Sequence, residues 1–185
     1  MKARTAEFIL TKLMGWKHNV PNPTTKKGVI LGVPHTSMLD FVVSYLFARS
    51  IDSHIKVMIK KEFFFWPLGP ALRAMGALPM DRANSTASMK NLIDQMKDAE
   101  NFYIAICPEG TRKPIAKWKT GYHVIARSVD CPVYLGYFDW GTKTVGFDSE
   151  PFELTDNARK DTERIQAIYE QRNYVGKHPK DYITH

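Results

Sequence analysis

Two residues, His35 and Asp40, stand five positions apart in the segment Pro34-His35-Thr36-Ser37-Met38-Leu39-Asp40. A histidine titrates near neutral pH. It works as a general base when a carboxylate holds one ring nitrogen and the other is open to take a proton. The run Val29-Ile30-Leu31-Gly32-Val33 reads as a strand, Pro34 as its exit, and Ser37 to about Arg49 as a helix. With Ser37 as N-cap, Asp40 is the third helical residue. Helical side chains lean toward the N-terminus, so its carboxylate leans back toward His35. The same spacing has a structural reading. Ser37-x-x-Asp40 also resembles a capping box, in which the acid satisfies a backbone N–H. The local spacing leaves both readings open. Ser37 lacks the G-x-S-x-G setting of a nucleophile and reads as a cap.

Two further groups carry polar chemistry. Phe102 to Cys107 reads as a strand and runs into Pro108-Glu109-Gly110-Thr111-Arg112. Gly110 permits a close backbone approach to a ligand, and Arg112 offers a planar fork to phosphate or carboxylate. The alternative is a turn with a surface arginine. The segment Gly76-Ala77-Leu78-Pro79-Met80-Asp81-Arg82 ends in a charged pair. Asp81 and Arg82 either pair at the surface, with little energetic effect, or Arg82 faces the pocket of Arg112. Lys113, Lys117 and Lys119 extend the positive region or form a solvated face.

These groups need a scaffold, and the patterning supplies an alternation of strands and helices. Ile55 to Ile59 and Pro132 to Phe138 read as strands, and Gly141 to Phe152 as a hairpin. A helix capped by Asn84 or Ser85 carries Met89, Leu92, Ile93 and Met96 on one face. Thr120 to Val129 is helical, and Thr155 caps a last helix. This predicts a single α/β layered domain with a central, mostly parallel or mixed sheet flanked by helices. Corners that follow the strands gather at one end of such a sheet, where ligands bind, so His35 and Glu109 are expected to share a face.

The 185 residues suit one domain, with 44% hydrophobic residues, enough for a sizeable core. Residues 1–18 are set apart as an amphipathic N-terminal helix, with Phe8, Leu10, Leu13 and Trp16 among lysines and an arginine; residues 19–185 form the main domain. That helix either docks on a membrane surface or packs on the core. Asn19 to Lys27 reads as a loop. Phe63-Phe64-Phe65-Trp66, with Pro67 and Pro70, follows an irregular path that is either core or a site of acyl or lipid contact. Cys107 and Cys131 lack metal-ligand spacing and read as buried thiols of a reducing compartment. No apolar run reaches the roughly 18 residues of a membrane span, and no signal peptide is evident. The net charge of +7 favours anionic partners.

In order and spacing the three polar groups resemble the 1-acylglycerol-3-phosphate acyltransferase (PlsC-like) family of glycerolipid acyltransferases. An H-x-x-x-x-D element lies at His35 and Asp40, a G-x-x-x-x-D-R element at Gly76, Asp81 and Arg82, and P-E-G-T-R at Pro108 to Arg112. Lys119-Thr120-Gly121 and the strand from Pro132 look like the last block. Cys107 and the sequence Pro132-Val133-Tyr134-Leu135 depart from the usual pattern.

The resemblance implies a glycerol-3-phosphate acyltransferase-like fold and transfer of a fatty acyl group from acyl-CoA or acyl carrier protein to a hydroxyl of a lysophospholipid-like acceptor. His35 would be the base, Asp40 its support, and there would be no acyl-enzyme. Arg82, Glu109, Gly110, Thr111 and Arg112 would bind the acceptor's polar head, and no metal or other cofactor would be needed. The expected location is cytoplasmic, peripheral on the inner face of a membrane. A non-catalytic anionic-lipid-binding module and an acyl thioesterase are the rival readings. A nucleic-acid role would rest on charge alone.

Overall fold

The computed structural model describes residues 1–19, 25–51, 53 and 55–181. Among these, seven strands are β1 (Lys17–His18), β2 (Lys27–Val33), β3 (Lys56–Lys60), β4 (Ala77–Met80), β5 (Phe102–Ile106), β6 (Val133–Asp139) and β7 (Thr144–Phe147). The α-helices are α1 (Ala3–Phe8), α2 (Leu39–Ser50), α3 (Leu68–Ala74), α4 (Ser85–Asp98), α5 (Gly121–Val129) and α6 (Ala158–Arg172). One sheet has the order β1-β7-β6-β2-β5-β3-β4. Strands β2 to β6 run parallel, β7 is antiparallel to β6, and β1 is parallel to β7. The fold is the α/β layered domain that the alternation predicts.

Strand β2 is central because it is apolar on both sides. Successive side chains point to opposite faces. Val29, Leu31 and Val33 join one core with Leu92, Met96, Trp118, Tyr122, Ile125 and Tyr169, contributed by α4, α5, α6 and the approach to α5. Ile30 joins the other, with Ala6, Leu10, Trp16, Val43, Leu46 and Phe47 from the N-terminal segment and α2. Leu31 stands in register with Ile106 on one side and Leu135 on the other, which fixes the β2 exit against its neighbours.

Several elements differ from the expectations. Helix α2 begins at Leu39, with Met38 rather than Ser37 at the N-cap. Asn157, not Thr155, caps α6, its side chain accepting from the Lys160 N–H. Asn84 caps α4. The hairpin pairs β6 with β7, and Phe152 adds a single bridge to Val133.

The proline-rich stretch holds a helix and a strand that its prolines obscure. Pro70 lies in the first turn of α3, where its missing N–H has no intrahelical acceptor to lose. Pro79 lies in β4, an edge strand with one free side. Phe65 and Trp66 are 59% and 85% exposed, so this stretch is not core. The N-terminal segment continues from α1 into a π-helical turn at Ile9–Leu13. It buries Ala6, Leu10 and Trp16 and exposes Phe8 and Leu13. Residues 20–24 of the expected loop lie outside the described residues. No helix among the described residues is long and apolar enough to cross a membrane.

Candidate active site

The parallel strands bring their following corners to one end of the sheet. From β6 across to β4, these corners carry Trp140, His35, Glu109, the Lys61–Trp66 segment and Arg82.

At the β2 corner, Asp40 is 1% exposed and its carboxylate accepts four hydrogen bonds. Oδ2 takes the N–H groups of Thr36 at 2.9 Å and Ser37 at 2.8 Å, and lies 3.2 Å from His35 Nδ1. Oδ1 takes the indole N–H of Trp140 at 2.8 Å. A carboxylate offers about four lone-pair sites, so Asp40 is saturated. One carboxylate therefore makes both the contacts to the backbone before the helix and the contact to His35. A carboxylate can only accept, so the shared proton belongs to His35 Nδ1, and Nε2 is left as an acceptor. The His35 side chain keeps 23% of its surface exposed, enough for a substrate to approach. Ser37 is 7% exposed, and its Oγ accepts from the Leu39 N–H at 3.2 Å, a local helix-start contact.

At the β5 corner, Glu109 is 4% exposed. Its Oε1 accepts the backbone N–H of His35 at 2.8 Å, while Oε2 is enclosed and has no hydrogen-bond partner among the described residues. Burial, reinforced by the nearby charge of Asp40, raises its carboxyl to about 8, against the opposing effect of the His35 N–H. Glu109 is therefore neutral through most of the range near pH 7 and braces the His35 backbone. Gly110 has φ +65°, a left-handed conformation that residues with a Cβ rarely adopt, which explains the glycine. Thr111 Oγ1 accepts the Lys113 N–H. Arg112 is exposed and makes no hydrogen bond or ion pair among the described residues.

Arg82 reaches the same corner, donating from Nη2 to the Gly110 carbonyl at 2.9 Å. Asp81 pairs instead with Lys61 at 2.6 Å and accepts the Ala83 N–H, so it shapes the turn that presents Arg82. The structure thus gathers His35, Asp40 and Glu109 into one contact network and ties Arg82 to the Gly110 backbone. A small recess beside His35 is lined by Glu109, Thr111, Lys113 and Asp181. An apolar recess, partly open to solvent, lies between α2 and the sheet. Its lining includes Gly32, Phe41, Ser44, Tyr45 and Phe138, and it comes within one residue of Asp40 along the chain.

Trp140 was not among the sequence candidates. The available signal was its position directly after a strand, at the same end of the sheet as the β2 corner that carries His35. Both cysteines are free; burial pushes the Cys107 thiol well up and the Cys131 thiol up to about 11. Among the described residues, no group of three or more His, Cys, Asp and Glu side chains is placed to hold a metal ion.

A family model described as Acyltransferase matches residues 16–135, more than half of the chain. The chain belongs to the acyltransferase family. The acyltransferase is similar in fold to the crystal structure of the 1-acyl-sn-glycerophosphate (LPA) acyltransferase PlsC from Thermotoga maritima. The TM-score is 0.59 at 17% identity, covering 95% of this chain and 80% of that one. No curated protein matches it. Membership makes the protein an acyl-transferring enzyme, and the match contains both the His35–Asp40 and Glu109–Arg112 corners.

Proposed function

We propose that this acyltransferase moves a fatty acyl group from an acyl thioester, of CoA or of acyl carrier protein, to a hydroxyl of a lysophospholipid-like acceptor in phospholipid synthesis. The observation that carries the reading is the His35–Asp40 contact. Its carboxylate is saturated and buried, its imidazole is partly open, and Nε2 is free to accept. In this reading His35 Nε2 takes the hydroxyl proton as the oxygen attacks the thioester carbonyl. The tetrahedral intermediate then expels the thiolate, which receives the proton from His35. The C–O bond forms and the C–S bond breaks without an acyl-enzyme. A hydroxyl is a weak nucleophile near neutral pH, and a positioned base contributes about 10²–10⁴-fold.

The lining between α2 and the sheet is largely apolar, which suits contact with an acyl chain. Arg112, with Gly110, Thr111 and Arg82, suits an anionic headgroup, because guanidinium forks bind phosphate bidentately. Glu109 serves this site by bracing the His35 backbone. The site-bearing end of the sheet also exposes Met38 and Leu39 (47% and 42%) and Phe65 and Trp66. Lys60 and Lys61 are exposed beside the aromatics. Apolar and aromatic groups with flanking cations favour peripheral docking on an anionic bilayer, which would present the site to a membrane-resident acceptor.

The test is incubation with labelled acyl-CoA and acyl carrier protein thioesters and a panel of lysolipids, with products read by mass spectrometry. The expected product is the acylated lipid. Free fatty acid alone would mark a thioesterase. Vesicle binding without any thioester consumption would mark a lipid-binding module.

A further inference from the structure

Trp140 stands outside the family match, which ends at residue 135, yet its indole touches the carboxylate at the centre of the site. Strand β6 delivers it to the same end of the sheet as His35, and its surroundings fix it there. Its backbone N–H donates to the Val175 carbonyl at 2.8 Å. The preceding residue, Asp139, ties the turn together, accepting the Gly141 and Val175 N–H groups on Oδ1 and the Thr142 hydroxyl on Oδ2. The Trp140 ring meets the buried Trp16 edge-on at 4.9 Å, and Lys177 Nζ lies 4.4 Å from its centroid. The indole therefore has one orientation, and that orientation aims Nε1–H at Asp40 Oδ1.

We propose that Trp140 is a positioning residue for acyl transfer: its indole N–H holds Asp40 Oδ1 and so fixes the carboxylate that orients His35. This rests on His35 acting as the base. The backbone N–H groups of Thr36 and Ser37 both hold Oδ2. Trp140 supplies the Oδ1 contact, and with it the rotation of the carboxylate about its last bond. Without it, Asp40 can turn, and the Nδ1 contact, already 3.2 Å, loses its fixed direction. The indole also shares the carboxylate's negative charge. Removing that donor leaves more of the charge facing the imidazole and favours the imidazolium. Other ionisable groups around the pair include Cys107 and Glu109, which lie close to Asp40, Lys113 and Asp181 at the His35 recess, and Lys177 over the indole. All are retained when Trp140 alone is changed.

The experiment compares the full-length wild type, Trp140→Phe and His35→Ala in acyl transfer from an acyl-CoA to a lysolipid shown to be a substrate, across pH. Phenylalanine keeps a ring against Trp16 but has no N–H. The expected result for Trp140→Phe is a kcat about 10-fold lower, KM for each substrate within about twofold, and an acid limb displaced from that of the wild type. Wild-type kcat with an unmoved acid limb would overturn the proposal even if His35→Ala is inactive. Full activity of His35→Ala would instead remove the base reading on which the proposal depends.

A measurement on the wild type covers the case in which Trp140→Phe does not fold. The assigned Trp140 indole N–H resonance should titrate with the apparent pKa of the acid limb, because protonation of His35 is felt through Asp40. A resonance that does not move across that limb refutes the contact's role.

Discussion

Replacing Glu109 by glutamine should change how stability depends on pH, and the size of that change follows from where the carboxyl sits. Glu109 is raised from 4.5 to about 8 by burial, with one oxygen on the His35 N–H and the other enclosed without a hydrogen-bond partner among the described residues. An acid whose folded value exceeds its unfolded value keeps its proton longer when folded. Raising pH between the two values therefore favours the unfolded chain. At about 1.36 kcal/mol per pH unit, the destabilisation relative to a neutral side chain is roughly 1–2 kcal/mol at about pH 5.5 and roughly 4–5 kcal/mol at about pH 8.5. The difference of about 3 kcal/mol is a large share of the 5–15 kcal/mol typical of a domain. Glutamine can accept the His35 N–H as Oε1 does. Its amide nitrogen would be enclosed without an acceptor, a cost that does not vary with pH. It should therefore offset the stability curve without tilting it. The assay is urea unfolding of both proteins at several pH values in this window, taking the difference so that groups common to both cancel. The wild type should lose about 3 kcal/mol more than Glu109→Gln across the window. Parallel curves would mean that Glu109 ionises in the folded protein much as it does in the unfolded chain. The neutral brace under His35 would then be wrong.

Other outcomes follow from the same geometry. His35→Ala should lower kcat by about 10²–10⁴-fold with little change in Tm. His123→Ala should do the reverse, costing about 1–3 kcal/mol by unpairing buried groups while leaving kcat near wild type; calorimetry and acyl-transfer rates read both. Arg112→Ala should remove a charge-assisted contact of about 1.5–3 kcal/mol, raising the acceptor KM roughly 10- to 100-fold with the thioester KM unchanged; an unchanged acceptor KM takes Arg112 out of the site. The double change Phe65→Ala and Trp66→Ala should weaken sedimentation with anionic vesicles by about 2 kcal/mol, roughly 30-fold, without altering Tm, because both rings are already exposed.

The legible parts of the fold were those governed by local periodicity. The apolar run at Val29–Val33 and the stripe of Leu92 and Met96 have only one way to be buried, and both appear as read. The segment from Lys61 to Met80 is hard to read from sequence because Pro67, Pro70 and Pro79 are general breakers. Their tolerance here depends on placement, in a first turn and on an edge strand, which only the assembled sheet reveals. In the site, motif order pointed to the His35 and Glu109 corners. It did not separate their roles. Glu109 looked like a ligand-facing carboxylate, but its side chain turns inward onto the His35 N–H. Trp140 has no local signature, because its partner, Asp40, is 100 positions away and no local pattern records such a contact.

The chain contains a second histidine–aspartate pair, which isolates what makes the first one suited to catalysis. His123 Nε2 lies 3.2 Å from Asp161 Oδ2, the same separation as His35 Nδ1 from Asp40 Oδ2. Residue types and distance therefore do not distinguish them. The nitrogen used does, and so does access. His123 spends Nε2 on Asp161 and on the Thr155 carbonyl at 2.9 Å, so that nitrogen must carry the proton, and the side chain is only 7% exposed. Asp161 is meanwhile committed to the Thr155 backbone N–H and hydroxyl and to Arg164. That pair staples α5 to the start of α6. His35 instead commits Nδ1, the nitrogen nearer its own backbone, and leaves the outer nitrogen as an acceptor with nearly a quarter of its side chain exposed. A base must be held on its inner side and open on its outer side. A strand exit followed by a helix start supplies this arrangement, because the helix's first carboxylate faces back toward the corner while the imidazole extends beyond the sheet.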